Sequence, residues 1–214
     1  LRGIAQVMLQ NNPLTGALFL AAIIWASIVA DAYRLAFAAV VAVIAANLTA
    51  LWLRVDTEEL KAGLHGYNAT LVGLALATFL APGALLWVYV VFGAVISVIA
   101  TLATSRALKH IGLPALTAPF VLVTWLMLLA SYAFAGLSGT ALPSGAVVGA
   151  YQAYQTAPLD ILGFVQGVVK SISQVFLKAD GIAALLLAAG LFVSSPAAAV
   201  FGIGGAITAV ATAH

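Results

Sequence analysis

The chain has 214 residues, of which 64% are hydrophobic and only 7% are charged, and its mean hydropathy is +1.18. Soluble domains carry about 25% charged residues, so this composition excludes a water-soluble globular fold and predicts an integral membrane protein. The net charge of +2 is spread thinly without a basic run, which excludes nucleic acid as a partner. The chain has no cysteine, so disulfides, thiolate metal sites and thiol nucleophiles are excluded as well.

Apolar runs alternate along the chain with charges and with proline or glycine. A membrane-crossing helix needs about 20 largely apolar residues. The runs that meet or approach this length are residues 14–30, 35–53, 85–104, 116–134, 158–176, 182–193 and 197–213. We therefore predict an all-α fold of membrane helices, in which residues 1–10 form the last turns of a helix.

Residues 63–80 form an apolar segment that differs from these runs. It opens with Gly-Leu-His-Gly-Tyr-Asn, and Pro82 starts the next helix almost as soon as it ends. A polar helix start inside the membrane is tolerable only where it is buried in protein or faces a water-lined cavity. We predict a short, tilted re-entrant helix here, which turns back inside the membrane without crossing it.

An internal repeat relates the two ends of the chain. Residues 2–9 read Arg-Gly-Ile-Ala-Gln-Val-Met-Leu and residues 170–177 read Lys-Ser-Ile-Ser-Gln-Val-Phe-Leu, so 168 residues separate Gln6 from Gln174. Five predicted crossings lie between the two glutamines, counting the helix that carries Gln174, and an odd number turns the second copy upside down. Inverted-topology repeats of this kind build transporters and channels, with the solute site near the midplane where the copies meet.

The repeat predicts two units in the chain. Residues 1–156 form the first inverted repeat, without the start of its first helix, and residues 157–214 form the start of a second repeat that is incomplete. The sequence is expected to be a fragment of a longer protein, and its first residues do not have the pattern of a signal peptide.

The Lys and Arg residues of the short loops predict the orientation in the membrane. The predicted helices place one group of basic residues on the same side: Arg34, Arg106, Lys109 and Lys178, with Lys170 nearby. The other side carries Arg54 and Lys61, which are diluted by acidic neighbours. The first side is therefore predicted to be cytoplasmic, with Gln6 toward the outside and Gln174 toward the inside.

Ionisable residues are nearly missing from the predicted membrane helices. Membrane hydrolases, metalloenzymes and proton relays need such residues at membrane depth. Only Asp160 and Lys170 fall inside a predicted helix, while His65, His110 and His214 lie at segment ends without metal-ligand spacing. We therefore predict that the protein is not an enzyme and that it has no catalytic residues, metal or cofactor; active transport has no support either.

The polar residues inside the predicted helices are neutral: Gln6, Asn68, Thr70, Thr117, Thr124 and Gln174. Buried amides and hydroxyls cost free energy unless they are paired, and Thr70 and Thr124 are expected to bond to backbone or to neighbouring helices. Gln6, Thr117 and Gln174 differ, since each lies in the repeat or beside a helix irregularity. Neutral donors and acceptors in an apolar lining are what a pore for a small neutral solute requires.

Four motifs in order give the chain a family resemblance. Residues 113–120, Leu-Pro-Ala-Leu-Thr-Ala-Pro-Phe, fit the Leu-Pro-x-x-Thr-x-Pro-Phe signature of the urea transporter family. Residues 63–73, Gly-Leu-His-Gly-Tyr-Asn-Ala-Thr-Leu-Val-Gly, resemble its glycine-rich re-entrant helix. Residues 2–16 and 170–196 resemble the openings of its two halves. The chain thus resembles a bacterial member over essentially its whole length.

The resemblance implies an inverted-repeat channel fold with five membrane helices and one re-entrant helix per repeat. Three subunits, each with its own pore, would let urea pass passively across the inner, or plasma, membrane. Carried over residue by residue, the family's pore residues are Gln6 at an outer site, Leu9, Tyr67 and Leu71 around it, Thr117 in the middle, and Gln174 with Val175 at an inner site.

This sequence departs from the family pattern at three points. The position of Leu9 is often aromatic in the family, and Gln174 replaces a carboxylate of some bacterial members. The second signature and the second re-entrant helix are absent, so this polypeptide alone is not expected to conduct.

Alternatives stay open at this point. The scaffold could serve another small neutral solute (ammonia, a short amide or water), or the protein could be a membrane scaffold without permeation. For Thr117, the alternative to a pore oxygen is a hydroxyl that caps the turn left open by Pro114 and Pro119. The two prolines also predict freed backbone carbonyls near Thr117, which would act as acceptors for the solute.

Overall fold

The computed structural model describes residues 1–134, 136–139, 160–176 and 180–212. Within these ranges the structure is helical, apart from turns and one isolated bridge between Leu80 and Gly139. The helices are α1 Arg2–Ala5, α2 Pro13–Val29, α3 Arg34–Trp52, α4 Thr57–Ala62, α5 Tyr67–Phe79, α6 Ala84–Leu108, α7 Ala118–Ser131, α8 Ile161–Ser173, α9 Gly181–Ser194 and α10 Pro196–Thr212. Short 3-10 helices, Gln6–Met8, Lys109–Ile111 and Gln174–Phe176, extend α1, α6 and α8. The predicted all-α class is confirmed.

Two of the described helices are long and apolar enough to cross a membrane alone, Arg34–Trp52 and Ala84–Ile111, and two bent helix pairs would raise the number to four. Two of the predicted runs are shorter as helices than as apolar segments. Helix α7 has 14 residues because Pro119 occupies one of its first positions. Helix α8 begins after Asp160, whose carboxylate accepts the N–H of Gly163 at 2.6 Å, so Asp160 caps the helix instead of lying inside it.

The two segments that the sequence predicts to be repeat copies have similar local structure. Each has a helix that tightens into a 3-10 turn, at Gln6–Met8 and at Gln174–Phe176, and is followed by a helix at a sharp angle, 81° in the first segment and 73° in the second. Asn12 caps α2 by accepting the N–H of Leu14 at 2.8 Å, and Asp180 caps α9 by accepting the N–H of Ala183 at 2.9 Å. The caps are separated by the same 168 residues as the glutamines.

Helices α2 and α9 pack closely against each other. The hydroxyl of Thr15 donates a hydrogen bond of 2.8 Å to the carbonyl oxygen of Gly190. A Cβ atom at Gly190 would lie 2.7 Å from the ring of Phe19, so only glycine allows this approach. The Phe19 ring also meets Phe176 edge-on, with 5.9 Å between ring centroids. The segments that follow Gln6 and Gln174 are therefore joined through a buried aromatic contact.

Helix α5 lies at the centre of a group that it forms with α3, α6 and α7. Its residues from Tyr67 to Ala77 are all buried. It runs antiparallel to α3: a Cβ atom on Gly66 would lie 3.1 Å from Cγ2 of Val43, about halfway along α3. Near the other end of α5, Nε of Arg34 donates a hydrogen bond of 2.9 Å to the carbonyl oxygen of Ala77. Because Arg34 is the first residue of α3, α5 begins halfway along α3 and ends level with its start.

The path predicted for residues 63–80 is therefore wrong. The segment starts near the C-terminal end of α3, at Trp52. Helix α5 then continues to the level of the N-terminal end of α3, at Arg34, instead of turning back. The physical reason lies before the helix: a Cβ atom at Gly63 would collide with the backbone of Gly3, so the chain passes deep against α1 before α5 starts. From there, 13 residues span about 20 Å at 1.5 Å per residue, which is enough to reach the other end.

The predicted grouping of basic residues is wrong for the same reason. Helix α6 runs back along α5, since a Cβ atom at Gly93 would lie 3.0 Å from the side chains of Val72 and Leu76. Its last turn therefore lies beside the end of α3, where Arg106 lines the same cavity as Arg54. The Lys and Arg distribution used above does not apply to this arrangement. The crossing count between the repeats depends on residues 140–159, which lie outside the described residues together with the predicted boundary at 156.

The close packing of α3 and α5 gives a test of the fold. A Cβ atom at Gly73 would lie 2.7 Å from the carbonyl oxygen of Ala38 and from Cβ of Ala42, so Gly73→Ala should destabilise the protein by about 1–3 kcal/mol, as overpacked cores do. Thermal unfolding in detergent measures this. Gly202→Ala is the control, since its Cβ would make only an ordinary contact of 3.5 Å with Leu191. Equal melting temperatures for both variants would contradict the packing of α5 against α3.

Candidate functional site

A wide cavity of about 920 Å³ opens beside the N-terminus of α5. Three predicted pore residues line it, Gln6, Leu9 and Tyr67. The segment 114–116, which leads into α7, forms the facing wall. The cavity therefore collects residues from the first 3-10 turn, from the start of α5 and from the proline-containing segment before α7, which are far apart in sequence.

The amide of Gln6 has a fixed direction in this cavity. Its Nε2 donates a hydrogen bond of 2.9 Å to the carbonyl oxygen of Ala62, at the end of α4. A carbonyl oxygen can only accept, so it selects the NH2 side of the amide and leaves Oε1 as the free acceptor. Gln6 is 8% exposed, and no described residue donates to Oε1. The sequence predicted an acceptor here, but the partner that orients it was not visible in the sequence.

Leu9 follows Gln6 at the end of the 3-10 turn, in a left-handed conformation with φ of 58°. A left-handed backbone is uncommon for a residue other than glycine and orients its side chain away from the course of a continuing helix. The Leu9 side chain is 68% exposed and lines the same cavity as Tyr67. The site thus has an apolar group next to the acceptor of Gln6.

The hydroxyl of Tyr67 is bonded to the segment before α7. It donates a hydrogen bond of 2.7 Å to the carbonyl oxygen of Leu116, and Nδ2 of Asn68 donates a second one of 3.1 Å to the same oxygen. Two donors fill the two lone pairs of a carbonyl. The sequence predicted that prolines would free carbonyls here for a solute, but the carbonyl of Leu116 is already used inside the protein.

Thr117 lies at the N-cap position of α7 but makes no capping bond through its side chain. The N–H of Phe120 is bonded instead to Oδ1 of Asn68, at 3.3 Å. The capping role considered above for the Thr117 hydroxyl is therefore filled by another residue. The Thr117 side chain is exposed, and among the described residues its hydroxyl has no hydrogen-bond partner.

The other four predicted site residues are not among the residues that line the cavity; one of them is Thr117, which directly follows the lining segment 114–116. Leu71, one helical turn after Tyr67, is 5% exposed and belongs to the hydrophobic core. Gln174 and Val175 are exposed on the 3-10 turn that follows α8, at positions that correspond to Gln6 and Val7. The described residues thus unite one of the two predicted end sites, while the residues predicted for the inner site lie elsewhere.

The charged residues that line the cavity are exposed, and they carry both signs: Arg54, Asp56, Glu59, Arg106 and Lys109. His65 is buried, and its Nε2 lies 3.4 Å from a carboxylate oxygen of Glu59 without hydrogen-bond geometry. Within the described ranges, no group of three His, Cys, Asp or Glu residues could hold a metal ion.

Asn68 is the residue that sequence reasoning missed. It was recognised as a neutral polar residue in an apolar segment, but no role was assigned to it. Its side chain bonds to Leu116, Thr101 and Phe120. The signal in the sequence is a largely apolar segment that begins with Tyr-Asn directly after Gly66, because a buried amide requires several partners.

The whole chain, residues 1–214, matches the model of the urea transporter family. Urea transporter 1 of Rattus norvegicus is 39% identical over 92 residues, which cover 41% of this chain and 21% of that protein. Urea transporter 1 of Mus musculus is 34% identical over 128 residues, 56% of this chain and 31% of that protein. For Ovis aries, urea transporter 1 is 37% identical over 91 residues, 41% of this chain and 21% of that protein. The matches thus span less than a third of each relative's length.

The hydrogen bond from Tyr67 to Leu116 gives a test of the site's geometry. Tyr67→Phe removes one of the two donors to this carbonyl, and we expect a loss of roughly 0.5–1.5 kcal/mol in stability, measured by thermal unfolding in detergent. Tyr132→Phe is the control, since the Tyr132 side chain is 89% exposed and no described residue bonds to its hydroxyl. An unchanged melting temperature in both variants would show that the two elements do not meet as described.

Proposed function

The chain belongs to the urea transporter family, and we propose that the protein lets urea pass passively across the plasma membrane through a narrow pore in each subunit. It is a multi-pass membrane protein and a transport protein, not an enzyme. The proposal concerns the whole protein, since this chain matches only part of each curated relative. Assembly as a homotrimer is part of the same proposal.

The observation that carries the proposal is the oriented amide of Gln6. Urea is planar and neutral, and it needs acceptors for its N–H groups when it leaves water. Because the carbonyl of Ala62 takes the NH2 group of Gln6, Oε1 is left as an acceptor at the cavity wall. A fixed acceptor avoids the entropy that a freely rotating amide would lose when the solute binds.

The surroundings of Gln6 support a neutral and flat solute. Leu9 and Tyr67 both line the cavity and offer apolar and aromatic surface, and the Thr117 hydroxyl, directly after the lining segment 114–116, has no hydrogen-bond partner among the described residues. A neutral solute needs no countercharge, and Gln6, Leu9 and Tyr67 carry none. Ammonia, water and short amides remain the solutes against which urea must be compared.

We further propose that residues 1–156 and 157–214 belong to two inverted repeats, with Gln174 and Val175 forming a second end site. The contacts between α2 and α9 support this. Thr15 bonds to Gly190, and the pair shifted by 168 residues, Ala183 and Ala22, lines one small cavity. Corresponding positions at one interface are expected where two copies meet across a two-fold axis.

Stopped-flow light scattering on proteoliposomes that contain the full-length protein tests the function. Vesicles in a urea gradient should shrink and then recover faster than protein-free vesicles, because urea enters through the pore. Water, ammonia and acetamide gradients are run in parallel. Recovery at the protein-free rate in urea, with faster recovery for another solute, would replace urea by that solute.

The two glutamines give the first test of individual residues. Gln6→Ala removes an acceptor for the dehydrated N–H groups of urea, which is worth roughly 0.5–1.5 kcal/mol, so flux should fall several-fold; Gln174→Ala should do the same at the other end site. Gln10→Ala is the matched control, since Gln10 is also buried but bonds only to the nearby carbonyl of Met8. Unchanged urea flux in both test variants at matched expression would show that neither glutamine binds urea and that both have only a structural role.

Thr117→Val gives a test that separates pore lining from capping. Valine keeps the shape of threonine and removes the oxygen, so urea flux per folded channel should change while the melting temperature holds, because the hydroxyl has no described partner. Thr70→Val is the control: its hydroxyl donates to the carbonyl of Gly66 at 2.9 Å, so stability should fall there. Equal flux per folded channel in Thr117→Val would exclude Thr117 from the pore wall.

A further inference from the structure

Asn68 lies where α5, α6 and α7 meet, and it is fully buried. Its Nδ2 donates to Oγ1 of Thr101 and to the carbonyl oxygen of Leu116, both at 3.1 Å. Its Oδ1 accepts the backbone N–H of Phe120 at 3.3 Å. One amide therefore joins the start of α5 to α6 and to both sides of Thr117.

The start of α7 depends on this amide. A helix leaves its first N–H groups without intrahelical partners, and the N-cap side chain usually accepts one of them from the second or third residue. In α7 the second residue is Pro119, which has no N–H, so Phe120 is the group that needs the cap. Thr117 occupies the N-cap position with a suitable hydroxyl and still does not cap, because Asn68 already does.

The backbone before Thr117 is held by the same residue. Leu116 has a φ of 45°, in the left-handed region that residues with a side chain rarely adopt. Its carbonyl accepts from Asn68 and from Tyr67. These two bonds hold the turn in an unfavourable conformation, which fixes where the next residue, Thr117, places its side chain.

We propose that Asn68 is a positioning residue for permeation: by capping α7 through Phe120 and holding the Leu116 carbonyl, it keeps the Thr117 hydroxyl free for the solute. The inference rests on the proposed function. Without the Asn68 acceptor, the Phe120 N–H takes the nearest alternative, the hydroxyl of Thr117 in its ordinary capping role. The hydroxyl is then bound to backbone and withdrawn from the solute.

This mechanism predicts effects that are not additive. Asn68→Leu keeps the approximate volume but removes acceptor and donors, so it should lower urea flux per folded channel about as far as Thr117→Val, by roughly two- to tenfold for one lost hydrogen bond to the solute. The double variant should be no slower than either single variant, because both changes remove the same hydroxyl from the path. A residue that only supports the fold would give multiplicative effects on flux or none.

A second variant keeps the test decisive if Asn68→Leu does not fold. Asn68→Asp retains the acceptor for Phe120 but loses the donors to Leu116 and Thr101, so Thr117 should stay free of the capping role and flux should fall less than in Asn68→Leu. Adding Thr117→Val to Asn68→Asp should then lower flux by the full Thr117→Val factor. Asn47→Leu is the asparagine control, since Asn47 donates only to the carbonyl of Val43 in its own helix, at 2.6 Å; its flux should not change.

The experiment is stopped-flow urea flux in proteoliposomes of the full-length protein, normalised to folded channels. Three results would each overturn the positioning role and leave the proposed function standing. They are flux near that of the unsubstituted protein in Asn68→Leu, a multiplicative loss of flux in the double variant, and a loss of flux in Asn68→Asp equal to that of Thr117→Val. Absence of urea flux in the unsubstituted protein would overturn the proposed function and this inference with it.

Discussion

Backbone groups in the interior of a membrane protein need partners within the protein, and this requirement governs how α5 and α7 are built. Helix α5 starts among buried residues, and Phe120 in the first turn of α7 lies beside it, so the first N–H groups and the carbonyls before them lie where water cannot serve every group. The buried amide of Asn68 answers this requirement for α7, since it bonds to Leu116 and Phe120. The position of the cavity wall follows from that arrangement.

The helices were predictable because composition and proline or glycine breaks determine them locally. Helices α2, α3, α9 and α10 agree with the predicted runs within a few residues. The path of α5 was not predictable, because an apolar run of its length is compatible with turning back or with a late start inside the fold. That choice depends on the approach of Gly63 to Gly3 and on the bond from Arg34 to Ala77, which join residues far apart in sequence. The wrong prediction of which basic residues share a side of the membrane follows directly from the wrong path of α5.

The site shows the same division between residue type and geometry. Motif resemblance identified Gln6, Leu9 and Tyr67, and the structure brings these three together in one cavity. What the sequence could not supply is direction: the Gln6 amide is turned by Ala62, and the Leu116 carbonyl is occupied by Tyr67 and Asn68. The two acceptors, the carbonyl oxygens of Ala62 and Leu116, belong to the backbone. Every residue carries such an oxygen, so no residue pattern marks them.

The distribution of charge completes the argument for how such a cavity would select a solute. An ionised side chain beside Gln6 would need a partner or solvent, because unpaired charge is costly to bury. In the described residues the charges that line the cavity are on exposed residues and include both signs, at Arg54 and Glu59 for example, so the charged part of the lining favours neither cations nor anions strongly. The other lining residues include an amide, hydroxyls, a histidine and apolar side chains. Selection by such a wall depends on hydrogen-bond direction and on shape, and a rigid amide and a held turn make that direction specific.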